Sequence, residues 1–504
     1  MQSLRIKGFR SIRDSGEIEL KPITAVIGKN SCGKSTFIRF FPLLKQSTEK
    51  EISETLLWYG DYVDFGDFKS IKHNFSKEVP TSFEFKLRIP PLRTRYFYFS
   101  KSNSKIKMMD VKITITLSDK HINFLSIEFL DQIVEINMES DKSIKSICIN
   151  HSGKNIDCNK YEWYRESRCL LPIIHRKGTS DNNSYFRIWG DSNTEEEISK
   201  LLEKITRSNT KENNLLEFSR KLMAFQSKDE LNKELRNNTT FSSIANYFKN
   251  EEESSELLEA IHSLVILGVL TELTYSINQV LSYEIRNIHY LKPIRASVNR
   301  YYRIQGLNID HVDADGSNLA MILYNLKPEE KAKFEKWTNN SFGISFSVSD
   351  DSGHASLIIK NRDNKSVNLA DTGYGYSQIL PIIVELWLLL QKSDDANNRN
   401  ITVVIEQPEL HLHPAFQAKV IDLFANIIKQ AKKNNIDIKI IFETHSETMI
   451  NRLGYLVYNK QLNTQDVNIL AFQKNECETT VKHMNFDEDG LICGWPVGFF
   501  SVEE

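Results

Sequence analysis

Gly28-Lys29-Asn30-Ser31-Cys32-Gly33-Lys34-Ser35 restricts the fold of this 504-residue chain more than any other stretch. Two glycines, a lysine and a hydroxyl recur there at the spacing of a phosphate-binding loop. The flanks agree. Ile23–Ile27 is apolar and mostly β-branched, so it reads as a buried strand, and Phe37–Leu44 reads as a helix with Pro42 as a kink. The glycines let backbone N–H groups wrap phosphate oxygens at a helix N-terminus. Gly28, Lys29, Asn30, Ser31, Cys32, Gly33, Lys34, Ser35 and Thr36 form the expected cradle, with Lys34 neutralising the β/γ oxygens and Ser35 helping to hold Mg²⁺. ATP and Mg²⁺ are the ligands this pattern calls for.

Three later segments extend the site. Ile401–Ile405 is another buried strand, and Glu406 stands at its C-terminal end, the edge where open α/β sheets place ligands. A carboxylate there binds Mg²⁺ through water, so Glu406 is the expected metal acid beside Ser35. Asp371–Gln378 is a Gly-rich turn read as capped by Ser377 ahead of the apolar helix Ile379–Leu390. Gly375, Ser377 and Gln378 would there face a second anion, belonging to another subunit's nucleotide. Phe442-Glu443-Thr444-His445-Ser446 sets a histidine just past a strand, where a neutral ring hydrogen-bonds a γ-phosphate.

Between these motifs the pattern changes. From about 80 to 150 apolar residues alternate with polar ones, as in Val111–Leu117, which marks an antiparallel β section. Residues 194–283 read as helical: Thr194 and Glu197 form a capping box, and a long helix runs from about Ser254 to Tyr283. Hairpin alternation returns around Asp350–Gly353. Arg93–Phe99 with Lys101, Lys105 and Lys107 interleaves aromatics and bases. That pattern could touch nucleic acid, but an ordinary hairpin with its aromatics in the core and its lysines in water is the expected reading. Strands alternating with helices in the C-terminal part point to a parallel sheet.

Composition closes some doors. With 64 basic and 66 acidic side chains there is no global pull toward nucleic acid or membrane. Six scattered cysteines without Cys-x-x-Cys spacing fit a reducing cytoplasm and no metal cluster. The most apolar run, Leu264–Leu270, is far shorter than the roughly 20 residues that span a bilayer. A soluble, cytoplasmic protein without a membrane partner is expected.

In this order the motifs resemble the ABC-type ATPase heads of SMC and RecF-like DNA-maintenance proteins, over roughly residues 1–75 and 290–504. Gly28–Ser35 looks like Walker A, Ile401–Glu406 like Walker B, Gly373–Gln378 like a divergent signature motif and His445 like the switch histidine. The resemblance implies an α/β fold, an ABC-type P-loop ATPase head with a mixed sheet, carrying an antiparallel β section (76–165) and an inserted helical domain (166–289). It also implies a homodimer or higher homo-oligomer with ATP between heads. Ile6–Ile12, Tyr290–Arg295, Glu406–Pro414, Glu443–Glu447 and Trp495–Phe500 are closer still to the overcoming-lysogenization-defect-like ATPases of bacterial antiphage systems. Within these, the PtuA-like ATPases of Septu and of Septu-containing retrons fit first, and the PARIS (AriA-like) ATPases second. The implied partners are an HNH nuclease (PtuB-like), or a Toprim nuclease in the second case, and a retron reverse transcriptase with RNA–DNA. The alternative is a RecF/SMC-like maintenance ATPase that grips DNA directly.

The chain departs from that pattern. Gln407 stands where ABC enzymes carry a general-base glutamate, and an amide orients water without accepting its proton. Slow hydrolysis is expected unless Glu409 substitutes. The glutamine of the usual Q-loop is not evident: Gln46 is only 12 residues beyond Lys34, and the loop Tyr62–Gly66 is the alternative. The 59 residues after His445 are too few for a Toprim domain, so the nuclease is expected on another chain.

Overall fold

The computed structural model describes residues 1–72, 79–92, 108–151, 156–177, 192–206, 212–304, 309, 311–351, 353–360, 365–391, 400–475 and 478–492. The basic-aromatic stretch 93–107 and the 495–500 tail motif lie outside these residues. The chain divides into two compact units, one of Met1–Arg5, Ser47–Leu57 and Pro80–Tyr283, the other of Ile6–Gln46, Trp58–Val79 and Glu284–Glu504. Residues 1–5 and 47–57, read from sequence with the 1–75 segment, fall in the first unit, as do the β section and the helices.

The first unit contains an antiparallel meander of Ser82–Ile89, Met109–Leu117, Ile122–Phe129, Gln132–Met138 and Ile144–Ile149. Alternation sets its faces: Val111, Ile113, Ile115 and Leu117 are buried, with less buried residues between them. Ile113 lies opposite both Phe85 and Ile127, so one apolar row crosses three strands. Each such buried side chain contributes about 1.5–3 kcal/mol, and a one-residue slip would turn the row to water. The hairpin between Phe129 and Gln132 turns on Leu130 and Asp131, with Leu130 at φ 50°.

Among the described residues five helices follow in this unit: Ser192–Glu203, Glu212–Leu222, Lys228–Arg236, Ser242–Lys249 and Glu251–Arg286, the last passing beyond it at its end. The capping box expected at Thr194 does not form. The helix starts at Ser192, Thr194 is buried within it, and Glu197 is drawn instead to Arg176 (2.9 Å) and Lys160 (3.0 Å). Glu251–Arg286 begins earlier than expected. Among the described residues it contains the one stretch, Glu253–Arg286, long and apolar enough to cross a membrane, and its most apolar window is 67% buried within the fold. One of its buried polar side chains is satisfied internally: the Asn278 amide brackets the Leu171 backbone, donating at 2.8 Å and accepting at 3.0 Å. This is how a core helix carries polar residues.

The second unit is a mixed α/β layer. Its sheet runs Ile288–Leu291, Asn400–Glu406, Asp437–Glu443, Ile23–Gly28, Val467–Asn475, Glu478–Met484, Ile12–Asp14 and the latter part of Ser3–Phe9. The first five are mutually parallel, and Glu478–Met484 returns antiparallel. Parallel neighbours require crossovers; among the helices between them are Lys34–Glu49, Tyr374–Gln391, Pro414–Lys433 and Glu447–Tyr458. Ile23, Ala25, Val403, Ile405, Ile440 and Phe442 meet Val420, Phe424 and Leu453 in one apolar core. Pro42 sits inside Lys34–Glu49 without ending it. The register places Glu406 beside Glu443 and Glu443 beside Val26, so three strands deliver their ends to one edge.

Candidate functional site

The loop at that edge is shaped by its two glycines. A Cβ at Gly28 (φ 153°) would stand 2.5 Å from the Phe472 carbonyl oxygen and 2.6 Å from Cys32 Sγ. At Gly33 (φ 97°) it would stand 2.9 Å from Ser11 Oγ. Both positions therefore require glycine. Lys29, Asn30 and Ser31 are exposed at the loop's crest, Ser31 with φ 61°, while Cys32 is buried and Thr36 half-buried. Burial pushes the Cys32 thiol above its ordinary pKa. Lys34 opens the helix and is buried. Its Nζ donates to the Lys29 carbonyl at 2.8 Å and lies 3.6 Å from the Glu443 carboxylate. The lysine holds the loop closed from beneath.

Here the two strand-end acids take different partners. Ser35 Oγ donates to Glu443 Oε2 at 3.1 Å, so the acid brought to the P-loop hydroxyl is Glu443, not Glu406. Glu406 is engaged elsewhere. Arg39, one turn along the P-loop helix, donates from Nε and Nη2 to its two oxygens at 2.9 Å each, and the Tyr290 hydroxyl adds a 2.5 Å bond. This bidentate fork is the strong form of an ion pair. It raises Arg39, while burial, with the Glu406 charge, raises the Tyr290 phenol. Glu443 is raised chiefly by burial, offset by Lys34 and reinforced by Glu406. The signal for Glu443 was present in the sequence, an acid at the end of a second buried strand.

Gln407 follows with φ 43°, its N–H on the Glu443 carbonyl at 3.0 Å. Glu409 Oε1 accepts the His445 backbone N–H at 2.7 Å; its Oε2 is buried and has no hydrogen-bond partner. Burial pushes this carboxyl up. His445 stands at the exposed end of the cluster, lowered by partial burial and by the Lys34 charge, which favours the neutral ring. Ser446 Oγ then caps the next helix, accepting from Met449 N at 3.2 Å.

The second glycine turn differs from its expected form. The helix begins at Tyr374, so Gly375, Ser377 and Gln378 lie inside its first turns. Ser377 Oγ donates to the Tyr374 carbonyl at 2.7 Å and caps nothing. Gly375 packs under the His411 carbonyl, which a Cβ would meet at 2.9 Å. Gln378 is buried and binds the Arg295 backbone. The two candidates for the Q-loop are one structure: the buried Gln46 accepts from Tyr62 N (3.2 Å) and Val63 N (3.1 Å) and donates to Val63 O (3.2 Å). Gln46 is thereby committed to holding that loop.

The donor set suits MgATP. Ser35 and Glu443 offer hard oxygen ligands, and the register-paired Glu406, itself held by Arg39, helps push the Glu443 carboxyl up and so favours a cation there. Among the described residues no cluster of three or more His, Cys, Asp or Glu suggests any other metal site.

A family model described as AAA ATPase domain matches residues 1–450. Among solved structures, the Smc head domain with an extended coiled coil bound to the C-terminal domain of ScpA, from Pyrococcus furiosus, is 13% identical. It covers 96% of each chain at a TM-score of 0.35. The SMC head domain from Thermotoga maritima is 9% identical, covering 95% of this chain and 97% of that one at a TM-score of 0.35. No curated protein matches.

Proposed function

The chain belongs to the AAA ATPase domain family, and on that premise we propose that it is the nucleotide-controlled subunit of a bacterial antiphage complex, governing a nuclease on a separate chain. Its ATP-binding P-loop is common to the family. Gly28–Thr36 would wrap the phosphates, Lys34, now on the Lys29 carbonyl, would serve the β/γ oxygens, and Ser35 with Glu443 would hold Mg²⁺, Glu406 flanking them. The metal would supply neutralisation of charge developing on the phosphates. His445, whose neutral ring is favoured, would hydrogen-bond the γ-phosphate. The start of the helix Tyr374–Gln391 would meet the nucleotide of a second copy.

The observation that supports control rather than rapid turnover is Gln407. Its backbone is fixed at the strand end by the Glu443 carbonyl, and its side chain offers an amide where proton abstraction needs a base. Cellular ATP at about a thousandfold over its dissociation constant would favour the bound, dimerised state by roughly 4 kcal/mol, enough to hold a partner inactive. The antiphage assignment rests on the likeness of Ile6–Ile12, Glu406–Pro414 and Glu443–Glu447 to the overcoming-lysogenization-defect-like ATPases, and the Septu type with its HNH nuclease on the overall pattern rather than on any one motif. Co-expression with the gene product encoded next to it, followed by mass measurement and a nuclease assay with and without ATP, tests this. A stable complex whose cleavage rises as ATP is withdrawn supports it. A lone dimer with salt-dependent affinity for duplex DNA overturns it.

A further inference from the structure

Arg295 is buried as deeply as an apolar core residue, 2% exposed, and its guanidinium is only one-third used. Nη2 donates to the Glu406 carbonyl at 3.1 Å, while Nε and Nη1 have no hydrogen-bond partner. A buried cation with unspent donors is strongly unfavourable unless something requires it. Burial pulls the guanidinium down to about 10, and the charges of Glu409 and Glu406 oppose that pull. Glu409 carries the complementary vacancy, since its Oε2 is also buried and without a partner.

The main chain of the same arginine is gripped from another element. Gln378 Oε1 accepts the Arg295 N–H at 3.2 Å, and Gln378 Nε2 donates to the Arg295 carbonyl at 3.4 Å. On the other side, Glu409 Oε1 holds the His445 backbone N–H at 2.7 Å. Gln378, Arg295, Glu409 and His445 thus form a line from the helix Tyr374–Gln391 to the histidine beside Lys34 of the P-loop. Its middle joint, Arg295 to Glu409, is open.

We propose that Arg295 is a positioning residue of the nucleotide cycle. When the helix Tyr374–Gln391 is engaged, Gln378 carries the Arg295 backbone with it, the free guanidinium nitrogens close on Glu409 Oε2, and Glu409 resets His445. The two arrangements, joint open and joint closed, are the two states that a coupling element needs. This inference rests on the nucleotide reading above.

The test uses the full-length protein and five variants: Arg295→Met, Arg295→Lys, Gln378→Ala, the double Arg295→Met/Gln378→Ala, and Lys34→Ala. MgATP affinity and the single-turnover hydrolysis rate are measured for each. Arg295→Met is expected to bind MgATP within about threefold of the parent yet hydrolyse it at least about tenfold more slowly, the mark of a group acting after binding. Arg295→Lys should recover part of that loss, and Gln378→Ala should show the same split. The double variant Arg295→Met/Gln378→Ala should be no slower than the worse single one, because both interrupt one route. Parent-like hydrolysis in Arg295→Met overturns the proposal. So does equal loss of binding and hydrolysis in all three Arg295 and Gln378 variants with lowered melting temperature, which would make the residue structural. If MgATP binding by the parent does not depend on Lys34, the nucleotide reading itself has failed, and that result is separate from the others; a parent that binds MgATP but hydrolyses none overturns the proposed role of Arg295 in the cycle.

Discussion

Ser35 donates a hydrogen bond from its hydroxyl to Glu443 at 3.1 Å, while Glu406, one strand away in the same register, is held by Arg39. The two acids are equivalent by position and distinct by partner. Glu443→Gln is therefore expected to raise the Mg²⁺ concentration needed for half-maximal nucleotide binding by about tenfold or more. Glu406→Gln should shift it by less than about threefold and act on stability instead, because an amide cannot receive both Arg39 donors. Titrating Mg²⁺ against a fluorescent nucleotide separates the two, and a larger shift in Glu406→Gln would reverse the assignment.

Gln407→Glu supplies a proton acceptor at a backbone position already fixed on the Glu443 carbonyl. General-base assistance is worth about 10²–10⁴-fold, so the single-turnover rate should rise at least about tenfold. An unchanged rate would mean that another group, Glu409 foremost, already serves as base.

His445 is lowered by partial burial and by Lys34. Its imidazole should titrate below the ordinary value near 6.5, and Lys34→Met should move the midpoint upward by removing a positive neighbour. A base depressed in the fold contributes stability that is present above the unfolded-state pKa and lost as pH falls through the folded one. The loss thus begins near pH 6.5 and completes below it. Proton NMR of the His445 ring in both proteins measures this; a midpoint unmoved by Lys34→Met contradicts the geometry.

Leu130 occupies the first central position of a two-residue hairpin turn at φ 50°, and it is 57% exposed. Glycine takes that conformation without strain, and little packing is lost. Leu130→Gly should stabilise the meander by about 0.5–1 kcal/mol. Chemical denaturation of the two proteins reads the difference directly.

Much of this was legible in the residues. Strand, glycine loop and helix around Lys34 follow from β-branched apolar runs and two glycines whose Cβ positions are filled by Phe472 and Ser11. The meander follows from strict alternation. What escaped was the division of labour at the sheet edge. Glu406 and Glu443 each end a buried parallel strand, and spacing cannot tell which meets Ser35. The choice is made by Arg39, whose guanidinium reaches Glu406 from one turn down the P-loop helix. Thr194 and Ser377 show the same limit. Each matched a cap by type, but the helices started two and three residues earlier, leaving both hydroxyls inside.

Gln46 lies in the P-loop helix twelve residues past Lys34, and its side-chain oxygen accepts the amide protons of both Tyr62 and Val63. Those two protons are sheltered from solvent exchange only while the helix keeps its register. Their exchange rates, followed by mass spectrometry as nucleotide is added, give a label-free readout of whether filling the phosphate loop tightens the helix at its far end.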